Sequence, residues 1–115
     1  MAQRALITGG AGFIGSHTAD VFLENGWEVE IIDNLASGNR ANLPKQATFH
    51  ELDIRSPEAA RLVREGRFDA VAHLAAQIDV RKSVADPVLD ATINIVGTLN
   101  LMEGLRAAGA RTRVI

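Results

Sequence analysis

The 115-residue chain has no cysteine. That excludes a disulfide framework and a thiolate metal site, and it fits a cytoplasmic protein. His17, His50 and His73 are too scattered for a ligand spacing, so no metal is expected. Charge of neither sign is clustered. Twelve basic and fourteen acidic residues lie along the chain without blocks, for a net charge of −2. A nucleic-acid or anionic-membrane surface needs a concentrated basic patch, so neither partner is expected. No stretch approaches the roughly 18 continuous apolar residues of a membrane span. The start, Met1-Ala2-Gln3-Arg4, runs straight into a short apolar segment, without the longer run and cleavage site of a secretory signal. Repeats and low-complexity stretches are lacking too.

What is present is a single-domain amount of apolar sequence, 47% of residues. A chain of this length buries roughly 60 to 68% of its unfolded surface. Short apolar runs alternate with helix-period segments. Ala5-Leu6-Ile7-Thr8, closed by Gly9-Gly10, reads as a buried strand. Phe13 to Asn25 reads as a helix with Ile14, Thr18, Val21 and Phe22 on its apolar face and Gly26 as its stop. Strands are expected at Glu28–Ile32, Thr48–Leu52 and Ala70–Leu74, with 34–47 mainly loop. Ser56-Pro57-Glu58 carries the cap, proline and acid of a helix start, and that helix ends near Gly66. A loop leads to Asp86-Pro87, which opens a long helix to about Ala108, stopped by Gly109. Val88, Ala91, Ile95, Leu99 and Met102 form its stripe, widened by Leu89, Ile93 and Val96. Gly97 and Gly104, seven apart on one face, point to close packing. Arg113-Val114-Ile115 begins a fifth strand. The strands show little alternation, which implies two covered faces and a parallel, doubly wound α/β sheet.

Chemistry concentrates in Thr8-Gly9-Gly10-Ala11-Gly12-Phe13-Ile14-Gly15, between the first strand and first helix. Gly9 allows the tight turn, Gly12 lets backbone approach a diphosphate, and Gly15 lets the helix pack close to the sheet. The helix start then offers unpaired amides and a partial positive charge to phosphates. A glycine turn also occurs in ordinary loops. The strand-to-helix position argues for the dinucleotide reading, as does Asp33, an acid 18 residues beyond Gly15 at the end of the second strand. A carboxylate there suits the adenosine ribose hydroxyls of NAD. A 2′-phosphate would meet it at a cost of about 4 kcal/mol for one charge pair at 4 Å and an effective dielectric of 20. Asn34 follows where an NADP site more often has arginine, and Arg40 is the nearest one.

The run from Thr8 to His17 resembles the opening of the extended short-chain dehydrogenase/reductases, the NAD-dependent epimerase/dehydratase family. Asp33-Asn34-Leu35-Ala36-Ser37-Gly38, Asp53-Ile54 and His73-Leu74-Ala75-Ala76-Gln77 resemble its UDP-glucose 4-epimerase branch. Val80-Arg81-Lys82-Ser83 and Asn94-Ile95-Val96-Gly97-Thr98 do so as well. The resemblance implies a Rossmann-like sheet ordered 3-2-1-4, with a fifth strand just begun.

The resemblance also implies roles. Phe13, Ile14, Asn34, Ser37 and Gly38 would join Gly9, Gly12 and Asp33 in binding NAD. Asp53 and Ile54 would lie against the adenine, and Leu74, Ala75, Ala76 and Gln77 along the diphosphate and nicotinamide ribose. Asn94 would brace the sheet near the active site, Val80 would approach the sugar, and the Pro87–Ala108 helix would pair with its twin in a homodimer. Each has a plainer reading. Asp53 could be a strand-end acid, His73 a satisfied core histidine, and Arg81 and Lys82 a solvated loop edge. Family members carry a catalytic Tyr-x-x-x-Lys pair and a partner Ser or Thr after the fifth strand. This sequence has no tyrosine and ends at Ile115. It is expected to be the NAD-binding front part, residues 1–115, of a nucleotide-sugar 4-epimerase, with no catalytic residue of its own and no activity alone. Sibling alternatives are a 4,6-dehydratase or decarboxylase, and another is a non-catalytic dinucleotide sensor. An unpaired fourth-strand edge would favour aggregation or weak NAD binding.

Overall fold

A parallel five-stranded sheet in the order β3-β2-β1-β4-β5 forms the centre of the computed structural model, which describes residues 2–109 and 111–115. Met1 of the N-terminal stretch lies outside the described residues. The elements follow the alternation read from the sequence. They are β1 (Arg4–Thr8), α1 (Phe13–Glu24), β2 (Glu28–Asp33), β3 (Thr48–Glu51), α2 (Pro57–Glu65) and β4 (Ala70–His73). After these come α3 (Val80–Ala85), α4 (Pro87–Ala91), a π-helical turn (Thr92–Val96), α5 (Gly97–Ala108) and β5 (Arg113–Val114).

The absence of alternation in the strands has the expected cause. Ala5, Leu6 and Ile7 of β1 are all fully buried. Ala5 and Ile7 pack with Val29, Ile31 and Ala72 beneath α1. Leu6 packs with Ile32 and Val71 on the other face, against Ala59 and Val63 of α2 and Leu101 of α5. Ser56 caps α2 by accepting from the Ala59 amide at 3.1 Å, with Pro57 in the first turn.

Four expectations change. The face α1 turns to the sheet is Gly15, Ser16 and Ala19, with Phe22 and Leu23 behind them, while Ile14 and Val21 are exposed. Small residues win because α1 starts hard against its own glycine turn. The segment before Asp86 is not all loop: Asp79 accepts from the Arg81 amide at 2.9 Å and starts α3. The long helix is interrupted by the π-helical turn, and the side it packs inward is Gly97, Leu101 and Gly104. A methyl on Gly97 would meet Ile54, and one on Gly104 the Ala60 carbonyl at 2.8 Å, so the glycines do serve close packing. Val88, Ile95 and Leu99 of the predicted stripe are instead 75%, 60% and 57% exposed. Finally, β4 is not an open edge. Ala70 and Val71 pair with Arg113 and Val114, and the His73 amide donates to the Ile115 oxygen at 2.9 Å.

Candidate functional site

The strands' C-terminal ends open on one crevice of about 700 Å³, at the point where the chain leaves β1 in one direction and β4 in the other. In doubly wound sheets that reversal is where ligands bind. The crevice floor is the glycine turn. Gly9 has φ +76°, a conformation that glycine adopts freely, and its amide donates to the Ile32 carbonyl at 2.8 Å. The Gly12 amide donates back to Gly9 at 3.1 Å, which closes the turn. A Cβ on Gly15 would lie 2.0 Å from the Gly9 oxygen, so glycine there lets α1 begin against the turn itself rather than the wider sheet. Gly10 is a requirement that sequence reasoning passed over: a methyl there would lie 2.5 Å from Ile31.

The start of α1 differs from that of α2. Its first internal bond runs from the Ser16 amide to Gly12, which leaves the amides of Phe13, Ile14 and Gly15 without helical acceptors. No side chain caps them among the described residues, and no acid sits in the first turn. Gly12, at φ −83°, has only the Gly9 oxygen within reach of a would-be Cβ, at 3.4 Å, so the space above it is open. A free, uncapped helix start beneath open space is an anion site.

Asp33 ends β2 beside this turn, only 8% exposed. One carboxylate oxygen accepts from the Ala11 amide at 3.0 Å and the other from the Leu35 amide at 2.7 Å. Leu35 turns back through φ +61° to make that bond. Each oxygen keeps a lone pair for a ligand hydroxyl. Gly38 lies so close that a Cβ would come 3.0 Å from the carboxylate. Asp53 sits further along the rim. Its carboxylate accepts from the Arg55 guanidinium at 2.9 and 2.6 Å and from the Arg55 amide at 2.8 Å. The guanidinium bond holds Asp53 below the usual carboxylate range, against the opposing effect of partial burial.

The opposite wall is Leu74, Ala75, Ala76 and Gln77. Asn94, from the π-helical turn, brackets Gln77: its oxygen accepts from the Gln77 amide at 2.7 Å and its nitrogen donates to the Gln77 carbonyl at 2.9 Å. Asn94 thus braces the wall without lining the crevice. His73 is a satisfied, half-buried histidine between Thr8 and Thr98.

Of the residues singled out in the sequence, Gly9, Gly12, Phe13, Ile14, Asp33 and Asn34 line the crevice. Ser37, Gly38, Asp53 and Ile54 line it with the Leu74–Gln77 wall. Val80 does not: it is 74% exposed on α3, whereas its neighbours Asp79 and Lys82 do line the crevice. Lys82 is therefore not a plain loop-edge cation, and Arg55 is a lining residue missed in the sequence. The Asp-x-Arg spacing was its only signal, because a residue two after an aspartate can bond back to it. Among the described residues, no cluster of metal-ligating side chains occurs, and no helix is long and apolar enough to cross a membrane.

A family model described as GDP-mannose 4,6 dehydratase matches residues 6–115. The chain belongs to the GDP-mannose 4,6-dehydratase family. Within reach of this family chain is the UDP-glucose 4-epimerase of Mycolicibacterium smegmatis, 43% identical over 114 residues, which are 95% of this chain and 36% of the relative. Among solved structures, the UDP-glucose 4-epimerase of Thermus thermophilus in complex with NAD is 50% identical, with a TM-score of 0.86 over 94% of this chain and 35% of its own. The UDP-glucose 4-epimerase of Thermotoga maritima with UDP-glucose is 44% identical, with a TM-score of 0.89 over the same shares. The family chain spans about a third of the length of these relatives. The sequence resemblance to epimerases and dehydratases, and the Rossmann-like fold it implied, are borne out.

Proposed function

We propose that this chain is the NAD-binding portion of a nucleotide-sugar epimerase, with UDP-glucose and UDP-galactose as the substrate pair of the whole enzyme. The single observation that carries the reading is the uncapped start of α1 beneath the open space at Gly12, beside the buried carboxylate of Asp33. Free amides there suit the two phosphates of a dinucleotide, and the helix dipole adds to their attraction. Asp33, pinned by two amides, receives the adenosine ribose hydroxyls without reorganising. Asp53 and Ile54 flank the adenine. The Leu74–Gln77 wall, braced by Asn94, lies along the nicotinamide ribose. Bound NAD supplies a hydride acceptor and donor for oxidation and return at the sugar C4. Val80 approaches the sugar from α3, although it stands outside the crevice here. The epimerase names of the relatives support this substrate class, and the family model's own description supports a 4,6-dehydratase as the second reading.

The enzyme would work in the cytoplasm as a homodimer. Val88, Ile95 and Leu99 give α4, the π-helical turn and α5 an outward apolar stripe for that contact. The 115 residues contain no tyrosine. No phenol is therefore available from them to take a proton from the sugar hydroxyl.

Titration calorimetry tests the reading. The chain is expected to bind NAD saturably and NADP at least about tenfold more weakly, because the 2′-phosphate meets Asp33. Equal affinity for both would overturn the ribose assignment, and no binding of either the dinucleotide assignment. Incubation with UDP-galactose and NAD is expected to give no UDP-glucose, and turnover by the pure chain would refute that expectation.

A further inference from the structure

The two walls of the crevice meet through one histidine ring, and the count of protons around it is closed. Thr98 Oγ donates its single proton to the Asn94 carbonyl at 2.7 Å. It has only lone pairs left for His73 Nε2, at 2.9 Å, so Nε2 carries the ring proton. Nδ1 of the neutral ring is then an acceptor. Thr8 Oγ lies 2.6 Å from Nδ1. It accepts from the amides of Leu74 and Ala75 at 3.0 and 3.1 Å, which leaves its own proton for Nδ1. Every proton in the relay is used once, and only the neutral Nε2–H ring satisfies it.

The relay holds something specific. A methyl on Gly9 would lie 2.9 Å from the Ala75 nitrogen and 3.0 Å from the Leu74 carbonyl carbon, so this segment rests directly on the glycine turn. The Leu74 amide has a second acceptor in the Thr8 carbonyl at 3.1 Å. Among the described residues the Ala75 amide has Thr8 Oγ alone. A second proton, on Nδ1, would put three donors on one hydroxyl oxygen and strand its own hydrogen. The Thr8 hydrogen must then turn into a position held by one of the two amides, and the Leu74 amide, which keeps the Thr8 carbonyl, is the bond that yields.

The ring's surroundings carry little charge. β1 presents the Thr8 hydroxyl, and the helix side presents Thr98 and the Asn94 carbonyl. Just after β5, Ile115 presents its terminal oxygen, which is engaged by the His73 main-chain amide. Burial is what disfavours the charged ring and lowers its pKa.

We propose that His73 is a positioning residue for the crevice: by accepting the Thr8 proton it turns that hydroxyl's lone pairs to the Leu74 and Ala75 amides and fixes this wall against Gly9, and a proton on Nδ1 turns the hydroxyl, loosens the wall and weakens dinucleotide binding. The effect on NAD rests on the dinucleotide reading, whereas the relay itself does not.

The test uses the chain labelled with nitrogen-15. Ring spectra are expected to place the single proton on Nε2 near neutral pH. On acidification, protonation of His73 and shifts of the Leu74 and Ala75 amide resonances should share one midpoint, with NAD affinity falling over the same interval. His73→Leu strands the Thr8 proton and is expected to weaken NAD binding by about tenfold or more at neutral pH. His73→Asn keeps an acceptor near the position of Nδ1 and does not titrate. It should recover most of the affinity and flatten the pH profile. Should His73→Leu fail to fold, Thr98→Val removes the acceptor of the Nε2 proton at nearly constant volume; because Nδ1 still takes the Thr8 proton, the ring proton should stay on Nε2, and its appearance on Nδ1 would overturn the relay. A proton found on Nδ1 in the wild-type chain would overturn the proposal. So would unchanged Leu74 and Ala75 amide resonances across the titration, or a pH profile retained by His73→Asn. A wild-type chain that bound no NAD at any pH would instead overturn the dinucleotide reading, with the relay decided by the ring spectrum and the Leu74 and Ala75 amides.

Discussion

Consider alanine placed at Gly12 and, separately, at Gly15. At Gly12 the added methyl meets only the Gly9 oxygen, at 3.4 Å, and the backbone at φ −83° is ordinary for alanine. Alanine is a poorer helix cap than glycine by about 0.5 to 1 kcal/mol, but it restrains the unfolded chain by a similar amount. The fold should therefore melt within about 4 °C of the wild-type chain. Binding is another matter, because the methyl occupies the open space above the free amides. Loss of two charge-assisted hydrogen bonds costs about 3 kcal/mol or more. That corresponds to roughly a hundredfold in NAD affinity. At Gly15 the methyl would lie 2.0 Å from the Gly9 oxygen and 2.9 Å from the Gly10 Cα, both backbone atoms that no rotamer change can move. Ordinary contact begins at 3.4 Å, so α1 must retreat by more than an ångström. Overpacking of this kind costs about 3 kcal/mol. The melting temperature should fall by roughly 10 to 20 °C. Thermal melts and titration calorimetry on the two variants separate the effects. If Gly12→Ala kept wild-type NAD affinity, the diphosphate would not sit on these amides; if Gly15→Ala melted like the wild-type chain, the helix would not be packed on the turn.

Three further outcomes are expected. Gly104→Ala drives a methyl into the Ala60 backbone oxygen and should cost about 1 to 3 kcal/mol, more than Gly97→Ala, whose methyl meets the flexible end of Ile54; chemical denaturation gives the order, and the reverse order would contradict it. Arg67 is exposed at φ +52°, one residue after the α2 cap, so Arg67→Gly should raise stability by a few tenths to about 1 kcal/mol, and a drop in the denaturation midpoint would refute the strain argument. Acid should weaken the fold in two stages. His73 has a lowered pKa because burial disfavours its charge, so the unfolded chain takes that proton first, and its contribution is full above about pH 6.5 and lost as pH falls below it. Asp53 is lowered by its bond to Arg55, so its contribution is present above about pH 3.9 and lost below it. Melting temperatures that stayed flat from pH 8 to pH 5 would contradict the first stage.

The chain's local chemistry determined a good deal. The alternation of apolar runs and capped helices placed four strands and α2 within a residue or so of where they lie, because propensity, caps and turns agree there. Gly9, Gly12 and Asp33 were legible as one site because the strand-to-helix turn and the acid's spacing are properties of a short stretch of chain. Tertiary structure decided which surface each helix buries. Ile14 and Val21 are as apolar as the residues that replaced them in the core, and only the need to start α1 against its own turn selects Gly15, Ser16 and Ala19. The outward turn of Val88, Ile95 and Leu99 follows likewise from Gly104, which lets α5 close on α2, and Gly97, which lets it close on Ile54. Arg55 carried only its spacing from Asp53, whereas Lys82 and the hydroxyl partners of His73 come from elements remote in sequence. No periodicity could register them, because a proton's acceptor is fixed only once the strands and helices are side by side.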